Sequence, residues 1–208
     1  MISYQRKCIF IHIPKTGGTS IENAIWPSLN DRRPSDLWMG FTSEFENRYQ
    51  TGGLQHLLAK YVQLEVGERI FNEFYKFAVV RNPFDRAVSQ YTYMAGRPDL
   101  RSFIGMNEGD SFEKYLALIK SRLHAQWECQ HKFIFDDRGT LLVDRVARYE
   151  RFQEDLSEIL TMIGVDPRVM GHDLKGARGE YREYYDEDAK EMLVDLYRED
   201  LRLFNYAF

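Results

Sequence analysis

Cys8-Ile9-Phe10-Ile11-His12-Ile13-Pro14-Lys15-Thr16-Gly17-Gly18-Thr19-Ser20-Ile21-Glu22-Asn23-Ala24-Ile25 carries three signals in one run. Cys8 to Ile13 is a nearly continuous apolar stretch of strand length, the pattern of a strand buried on both faces of a parallel sheet. Pro14 ends it. A glycine pair follows, and from Ser20 the apolar residues fall at helical spacing. Strand, glycine turn and helix therefore succeed one another at once. Phe77-Ala78-Val79-Val80 repeats the logic: Asn82 as N-cap and Pro83 at the first helical position open a helix through about Met94. Alternating strand–helix units predict one α/β domain over residues 1–208, a parallel sheet flanked by helices.

The remaining patterns fit that frame. Residues 55–66 are helical by spacing, with Leu57, Leu58, Tyr61 and Val62 on one face. Asp110 and Glu113 form a capping-box pattern ahead of Phe112, Tyr115, Leu116 and Ile119. Residues 132–146 read as two extended runs around Asp136-Asp137-Arg138-Gly139, a predicted hairpin. Phe152 to Ile163 is a helix stopped by Gly164, and Ala189 to Phe204 a last amphipathic one. Residues 27–53 are rich in Asn, Asp, Arg, Ser and Gly and read as a functional loop.

Composition narrows the function. With 28 Lys+Arg against 32 Asp+Glu the net charge is −4, which excludes a general nucleic-acid binder but leaves room for a local basic pocket. Two cysteines make no disulfide framework, and Cys8 in its apolar run behaves as a small hydrophobe. No run approaches the roughly 20 apolar residues of a membrane span, and the first residues lack a signal-peptide pattern. A cytoplasmic protein is expected.

Two stretches carry the chemistry. In Pro14-Lys15-Thr16-Gly17-Gly18-Thr19-Ser20 the glycines let backbone N–H groups approach an anion. The helix start adds partial positive charge, and Lys15, Thr16, Thr19 and Ser20 add side-chain donors. This is not a Walker A loop, whose lysine follows the glycines. A tight turn with a helix cap would produce the same letters. The other stretch, Arg81-Asn82-Pro83-Phe84-Asp85-Arg86-Ala87-Val88-Ser89, puts Arg81 at the carboxyl end of a strand, where open α/β sheets bind ligands. Ser89 lies about two helical turns on and can converge with Arg81 on a second anion.

In this order the two stretches resemble the donor-binding signatures of sulfotransferases that use 3′-phosphoadenosine-5′-phosphosulfate (PAPS), in particular the carbohydrate branch that includes heparan sulfate 2-O-sulfotransferases and short bacterial relatives. The glycine-containing stretch resembles the family's 5′-phosphosulfate loop. The Arg81–Ser89 stretch resembles its 3′-phosphate motif, with Arg81 and Ser89 at the phosphate-binding places. The likeness extends to Tyr149-Glu150, Tyr181 to Asp186 and Asp200-Leu201. It implies a P-loop, nucleotide-kinase-like fold, PAPS as donor with adenosine 3′,5′-bisphosphate as product, and an acceptor that is a carbohydrate or small molecule. It also places Lys175 and Arg178 in a loop that closes over the nucleotide. Residues 27–53 and 97–109 match nothing in the family pattern and would select the acceptor.

Sulfuryl transfer, like phosphoryl transfer, passes through a loose, charge-separated state, so Lys15 is the group to stabilise the leaving phosphate oxygen. The acceptor hydroxyl needs a base. His56, in Gly52-Gly53-Leu54-Gln55-His56 ahead of the second strand, resembles the family's catalytic histidine, and Glu22 and Glu44 stand in reserve. His12 reads as structural; His124, His131 and His172 read as surface histidines. Trp26, Trp38, Trp127, Tyr91 and Tyr93 suit either a sugar-stacking wall or the core. No metal-ligand spacing is evident, so no metal is expected. A nucleoside-phosphate kinase-like enzyme and a non-catalytic nucleotide- or glycan-binding module remain the rival readings.

Overall fold

The computed structural model describes residues 1–28, 56–169 and 179–208. Among them four strands, β1 (Ile2–Ser3), β2 (Cys8–Ile11), β3 (Tyr75–Val80) and β4 (Arg145–Arg148), pair in the order β1-β2-β3-β4. β2, β3 and β4 run parallel, with Phe10 opposite Phe77 and Val80 opposite Arg148; β1 is antiparallel to β2. The helices are α1 (Gly18–Ile25), α2 (Ala59–Val66), α3 (Glu68–Glu73), α4 (Pro83–Met94), α5 (Pro98–Ile104), α6 (Phe112–Lys120), α7 (His131–Ile134), α8 (Phe152–Met162) and α9 (Glu187–Leu203).

Because side chains alternate along a strand, each apolar strand feeds two layers. Cys8, Phe10, Phe77 and Val79 meet Ile21 and Ile25 of α1 and Leu156 and Leu160 of α8. Ile9, Ile11, Ala78 and Val80 turn the other way, onto Val62 of α2, Phe71 of α3 and Phe133 and Ile134 of α7. Cys8–Ile11 and Phe77–Val80 are thus apolar on both faces, which is why they read as continuous runs. A third cluster, built from α4, α5, α6 and α9 around Val88, Leu100, Tyr115 and Leu193, packs helix on helix.

The parallel arrangement sends three chain segments out of the same sheet edge. His12, Arg81 and Tyr149 are the residues that immediately follow β2, β3 and β4. All three line one cleft, at the carboxyl ends where α/β sheets place ligands. A brace from the far end of the chain fixes the middle one. Asp200 of α9, fully buried, accepts from the backbone N–H groups of Gln130 (2.7 Å) and His131 (2.9 Å) and pairs with His131 Nδ1 at 2.6 Å. The Gln130 carboxamide then holds both sides of the Arg81 peptide: Oε1 accepts from Arg81 N at 2.9 Å and Nε2 donates to Arg81 O at 2.8 Å.

Several sequence expectations shift in detail. The predicted hairpin is a short helix, α7, followed by a single antiparallel bridge between Phe135 and Leu141, and Val146 belongs instead to β4. The two runs are too short and too polar around the turn to sustain a ladder, whereas Val146 finds a partner in Ala78. Ser111, not Asp110, caps α6, its Oγ accepting from Lys114 N. The first strand stops at Ile11, two residues before Ile13.

Removing the Asp200 carboxylate leaves two backbone donors and an imidazole without their acceptor in a buried site. Asp200→Ala is expected to cost about 2–4 kcal/mol of unfolding free energy, read from urea denaturation. A loss under about 0.5 kcal/mol would contradict the brace.

Candidate active site

The turn after β2 is bent and then tied down. Lys15 has φ 67° and Gly17 φ 86°, both left-handed; for the lysine this costs roughly 1–2 kcal/mol. Two arginines from the α4 region hold the turn. Arg86 Nε donates to the Pro14 carbonyl at 3.0 Å and Arg81 Nη1 to the Lys15 carbonyl at 3.1 Å. Arg86, buried on the apolar face of α4, spends its other nitrogens on the Glu128 carbonyl (2.9 Å) and the Gln126 carbonyl (3.4 Å). Thr16 closes the turn from inside, its buried hydroxyl donating to the Ile13 carbonyl at 2.9 Å.

The two glycines are needed for different reasons. Gly17 is left-handed, and a Cβ there would lie 2.6 Å from the Phe152 ring. Gly18 opens α1 with ordinary φ, but a Cβ would fall 1.9 Å from His12 Nε2. The ring of His12 occupies the place a side chain would take.

Around this turn is a cleft of about 310 Å³. Lys15, Gly17, Gly18 and Thr19 line one side, with the positive end of α1 among them. Arg81 and Ser89 line another. Arg81 is buried: its Nε donates to Asp85 Oδ2 at 2.7 Å and its guanidinium lies 3.9 Å from the centre of the Tyr149 ring. Lys15 Nζ sits 4.0 Å over the Tyr93 ring. The cleft therefore brings together Lys15, Gly17, Gly18, Thr19, Arg81, Ser89 and His56 of the predicted site. Thr16 and Ser20 are outside its lining, and Lys175 and Arg178 lie outside the described residues, as do Trp38, Glu44 and His172.

His56 reaches the cleft in company. Its Nδ1 is 3.0 Å from the backbone carbonyl of His12; a carbonyl can only accept, so Nδ1 carries the proton and Nε2 the lone pair. Nε2 lies 3.5 Å from the Gln126 amide nitrogen. The His12 ring stands edge-on to His56 at 4.5 Å, and its Nδ1 is 2.7 Å from Glu22 Oε1 in an oblique approach. Burial pushes both histidines down to about 3, with each feeling further positive neighbours: the terminal amine and Lys15 for His12, His12 itself for His56. So His12 is not merely a core histidine; it shares the cleft with His56.

Of the histidines read as surface residues, the two described ones, His124 and His131, depart from that reading. His124 stacks on Trp127 at 4.7 Å, and burial lowers it to about 4; His131 is paired with Asp200. Of the described members of the predicted stacking wall, Trp26 and Trp127 are core residues, Tyr91 donates to the Asp110 carbonyl, and Tyr93 lines the cleft. Cys129, His131 and Asp200 bring ligand-type atoms within 4.8 Å of one another, which no spacing in the sequence foretells. The Asp200 oxygens are already committed to the Gln130 and His131 brace. Gln126 lines the cleft without any motif in the sequence pointing to it, while Tyr149 on the lining and Arg86 behind the turn fall inside motif stretches that give neither of them a role. Arg86 does leave a trace, as a cation at a position where α4 otherwise presents Pro83, Phe84, Ala87 and Val88 to the core.

The sequence matches the model of the Sulfotransferase family over residues 1–207, and the chain belongs to that family. The crystal structure of a sulfotransferase from Alicyclobacillus acidocaldarius is similar over 96% of each chain, with a TM-score of 0.47 and 17% identity. No curated protein matches. No helix among the described residues is long and apolar enough to cross a membrane.

The buried imidazoles make a stability prediction. Folded, His12 and His56 stay neutral down to about 3; unfolded, they protonate near ~6.5. Their contribution is full above pH ~6.5 and is lost as pH falls below it, by about 1.4 kcal/mol per pH unit for each. Urea midpoints at pH ~7.5 and ~5.5, on either side of that value, should show this fall, and a His12→Asn, His56→Gln double variant should show a shallower one. An equally steep fall in the variant would contradict the assignment.

Proposed function

We propose that this chain, acting as one domain, transfers the sulfuryl group of PAPS to a hydroxyl of a carbohydrate or small metabolite, with adenosine 3′,5′-bisphosphate as product. Family membership supports sulfuryl transfer in general. The observation that carries the finer reading is the convergence in one cleft of a helix-start anion cradle with Lys15, a second cationic side with Arg81 and Ser89, and a histidine whose Nε2 carries the lone pair. The likeness to the heparan sulfate 2-O-sulfotransferase branch supports a sugar hydroxyl as acceptor. Lys175 and Arg178 are proposed to close over the nucleotide, and the cytoplasm is proposed as the compartment.

Each residue then has a task. The α1 amides at Gly17, Gly18 and Thr19, with the Thr16 and Ser20 region behind them, hold the 5′-phosphosulfate; Arg81 and Ser89 hold the 3′-phosphate. The acceptor oxygen forms its bond to sulfur as the sulfur–oxygen bond to the phosphate breaks, and the electron pair leaves with the phosphate. Lys15 neutralises that departing oxygen, and His56 Nε2 takes the hydroxyl proton. These charges are all supplied by side chains and the helix end, so the proposed step uses no metal.

The donor assignment is tested by thermal shift and calorimetry. Adenosine 3′,5′-bisphosphate should bind and raise the Tm, and adenosine monophosphate, lacking the 3′-phosphate, should bind far more weakly. Arg81→Ala should cost about 2–4 kcal/mol of bisphosphate binding. Because Arg81 also supports the Lys15 carbonyl, Ser89→Ala is the cleaner variant and should cost less. Equal affinity for the two nucleotides would overturn the 3′-phosphate site.

Lys15 and His56 should fail differently in an acceptor assay. Lys15→Ala should weaken bisphosphate binding somewhat and turnover a great deal. His56→Ala should leave bisphosphate affinity nearly unchanged and lower kcat by about 10²–10⁴. Burial of His56 places the acid limb of kcat/KM below the ordinary histidine value of ~6.5, and that limb should vanish in the variant. A His56→Ala enzyme with full turnover would move the base elsewhere.

A further inference from the structure

A base as deeply buried as His56 is a weak one unless something offsets the charge it acquires. Burial and the neighbouring His12 ring hold it down, while the Glu22 carboxylate and the bond to the His12 carbonyl act in the opposite sense. The two favourable influences come from one pair of residues. We propose that Glu22 and His12 are positioning residues for His56, the carboxylate orienting the His12 ring and the His12 ring and carbonyl together holding the His56 imidazole with its Nε2 open to the acceptor. This rests on the sulfuryl-transfer reading of the cleft and adds a second tier behind its base.

The geometry supplies each link. Glu22 is buried on α1, one turn into the helix that begins the anion cradle, and its Oε1 is 2.7 Å from His12 Nδ1. A carboxylate at that distance favours the proton on Nδ1 of His12. The approach is oblique, a close contact rather than a well-aligned hydrogen bond. The His12 ring is confined on its other side by Gly18, where any Cβ would strike Nε2. It also stacks on Phe10 at 5.3 Å. With the ring wedged between α1 and the core, the edge-on contact to His56 at 4.5 Å and the 3.0 Å bond from His56 Nδ1 to the His12 carbonyl have little freedom. The logic is that of a carboxylate orienting an imidazole, extended by one ring.

Charge balance follows the same path. The groups facing His12 are Glu22, the Met1 amine and Lys15; those facing His56 are His12, Glu22, His124 and the Gln126 amide. Glu22 is the anion among them. When His56 takes the acceptor proton, that carboxylate is what lowers the energy of the resulting imidazolium. It also sits on the lining of a cleft meant for an anionic donor, where its charge opposes binding. A residue that harms donor affinity yet helps turnover has a distinctive signature.

Glu22→Gln keeps the shape and removes the charge. The expected result is a kcat lowered about 10–100-fold with bisphosphate affinity unchanged or tighter, and partial recovery of kcat in Glu22→Asp. A merely structural residue would lose kcat and affinity together, and that result would overturn the proposal. So would Glu22→Gln with wild-type kcat. Histidine ring ¹⁵N spectra of the wild-type protein test the arrangement without any acceptor: His12 and His56 should both carry the proton on Nδ1, and His12 protonated on Nε2 would overturn it. His56→Ala with full turnover defeats the base assignment itself; an inactive His56→Ala beside an unaffected Glu22→Gln defeats this proposal alone.

Discussion

The turn at residues 14–18 is held in shape by two guanidinium groups that grip consecutive carbonyls, Arg86 on Pro14 and Arg81 on Lys15. A left-handed lysine two residues before a left-handed glycine is not a conformation the chain adopts unaided. With both carbonyls taken by arginines, the strained backbone has a reason to stay. The same two residues tie β2 to the start of α4, so the turn and the Arg81–Ser89 side of the cleft are held to one another. Arg81 in turn is anchored through Gln130 to Asp200 near the end of the chain.

Arg86 shows why a buried cation can be tolerated here. It is almost fully buried, and removing a guanidinium from water is costly unless its donors are answered. Its three nitrogens reach the carbonyls of Pro14, Glu128 and Gln126, and the Gln126 peptide is the one whose side chain faces His56. One side chain therefore links the turn after β2 to the wall beside the candidate base. The cost of burying it is offset by satisfying carbonyls that would otherwise lose their water.

The central strands and the helices after them are legible in the sequence because their signals are local. Apolar runs at residues 8–11 and 77–80, the Asn82-Pro83 start and the Gly164 stop all sit next to the elements they define. β4 is not legible: Arg145–Arg148 lies at the sheet edge, with Ala147 its one buried residue, and carries charges where a central strand would carry valines. Lys15, Arg81, Ser89 and His56 are readable as cleft candidates because motif and spacing point to them. The roles of Gly18, His12 and Arg86 are not, since each depends on a contact with a residue distant in the sequence or across the turn. Gly18 is a case in point. In the sequence its lack of a side chain reads as room for backbone N–H groups to approach an anion, and in the structure it also accommodates the His12 ring.

The central claim is that the Lys15–Thr19 turn, clamped by Arg81 and Arg86, is an anion cradle. Backbone amide ¹H–¹⁵N spectra recorded while adenosine 3′,5′-bisphosphate is titrated in would test it most directly. The account predicts that the largest shifts fall on the amides of Gly17, Gly18 and Thr19, with Arg81 and Ser89 next. Shifts concentrated elsewhere, for example at Cys129 to His131, with the Gly17–Thr19 amides unmoved, would contradict it.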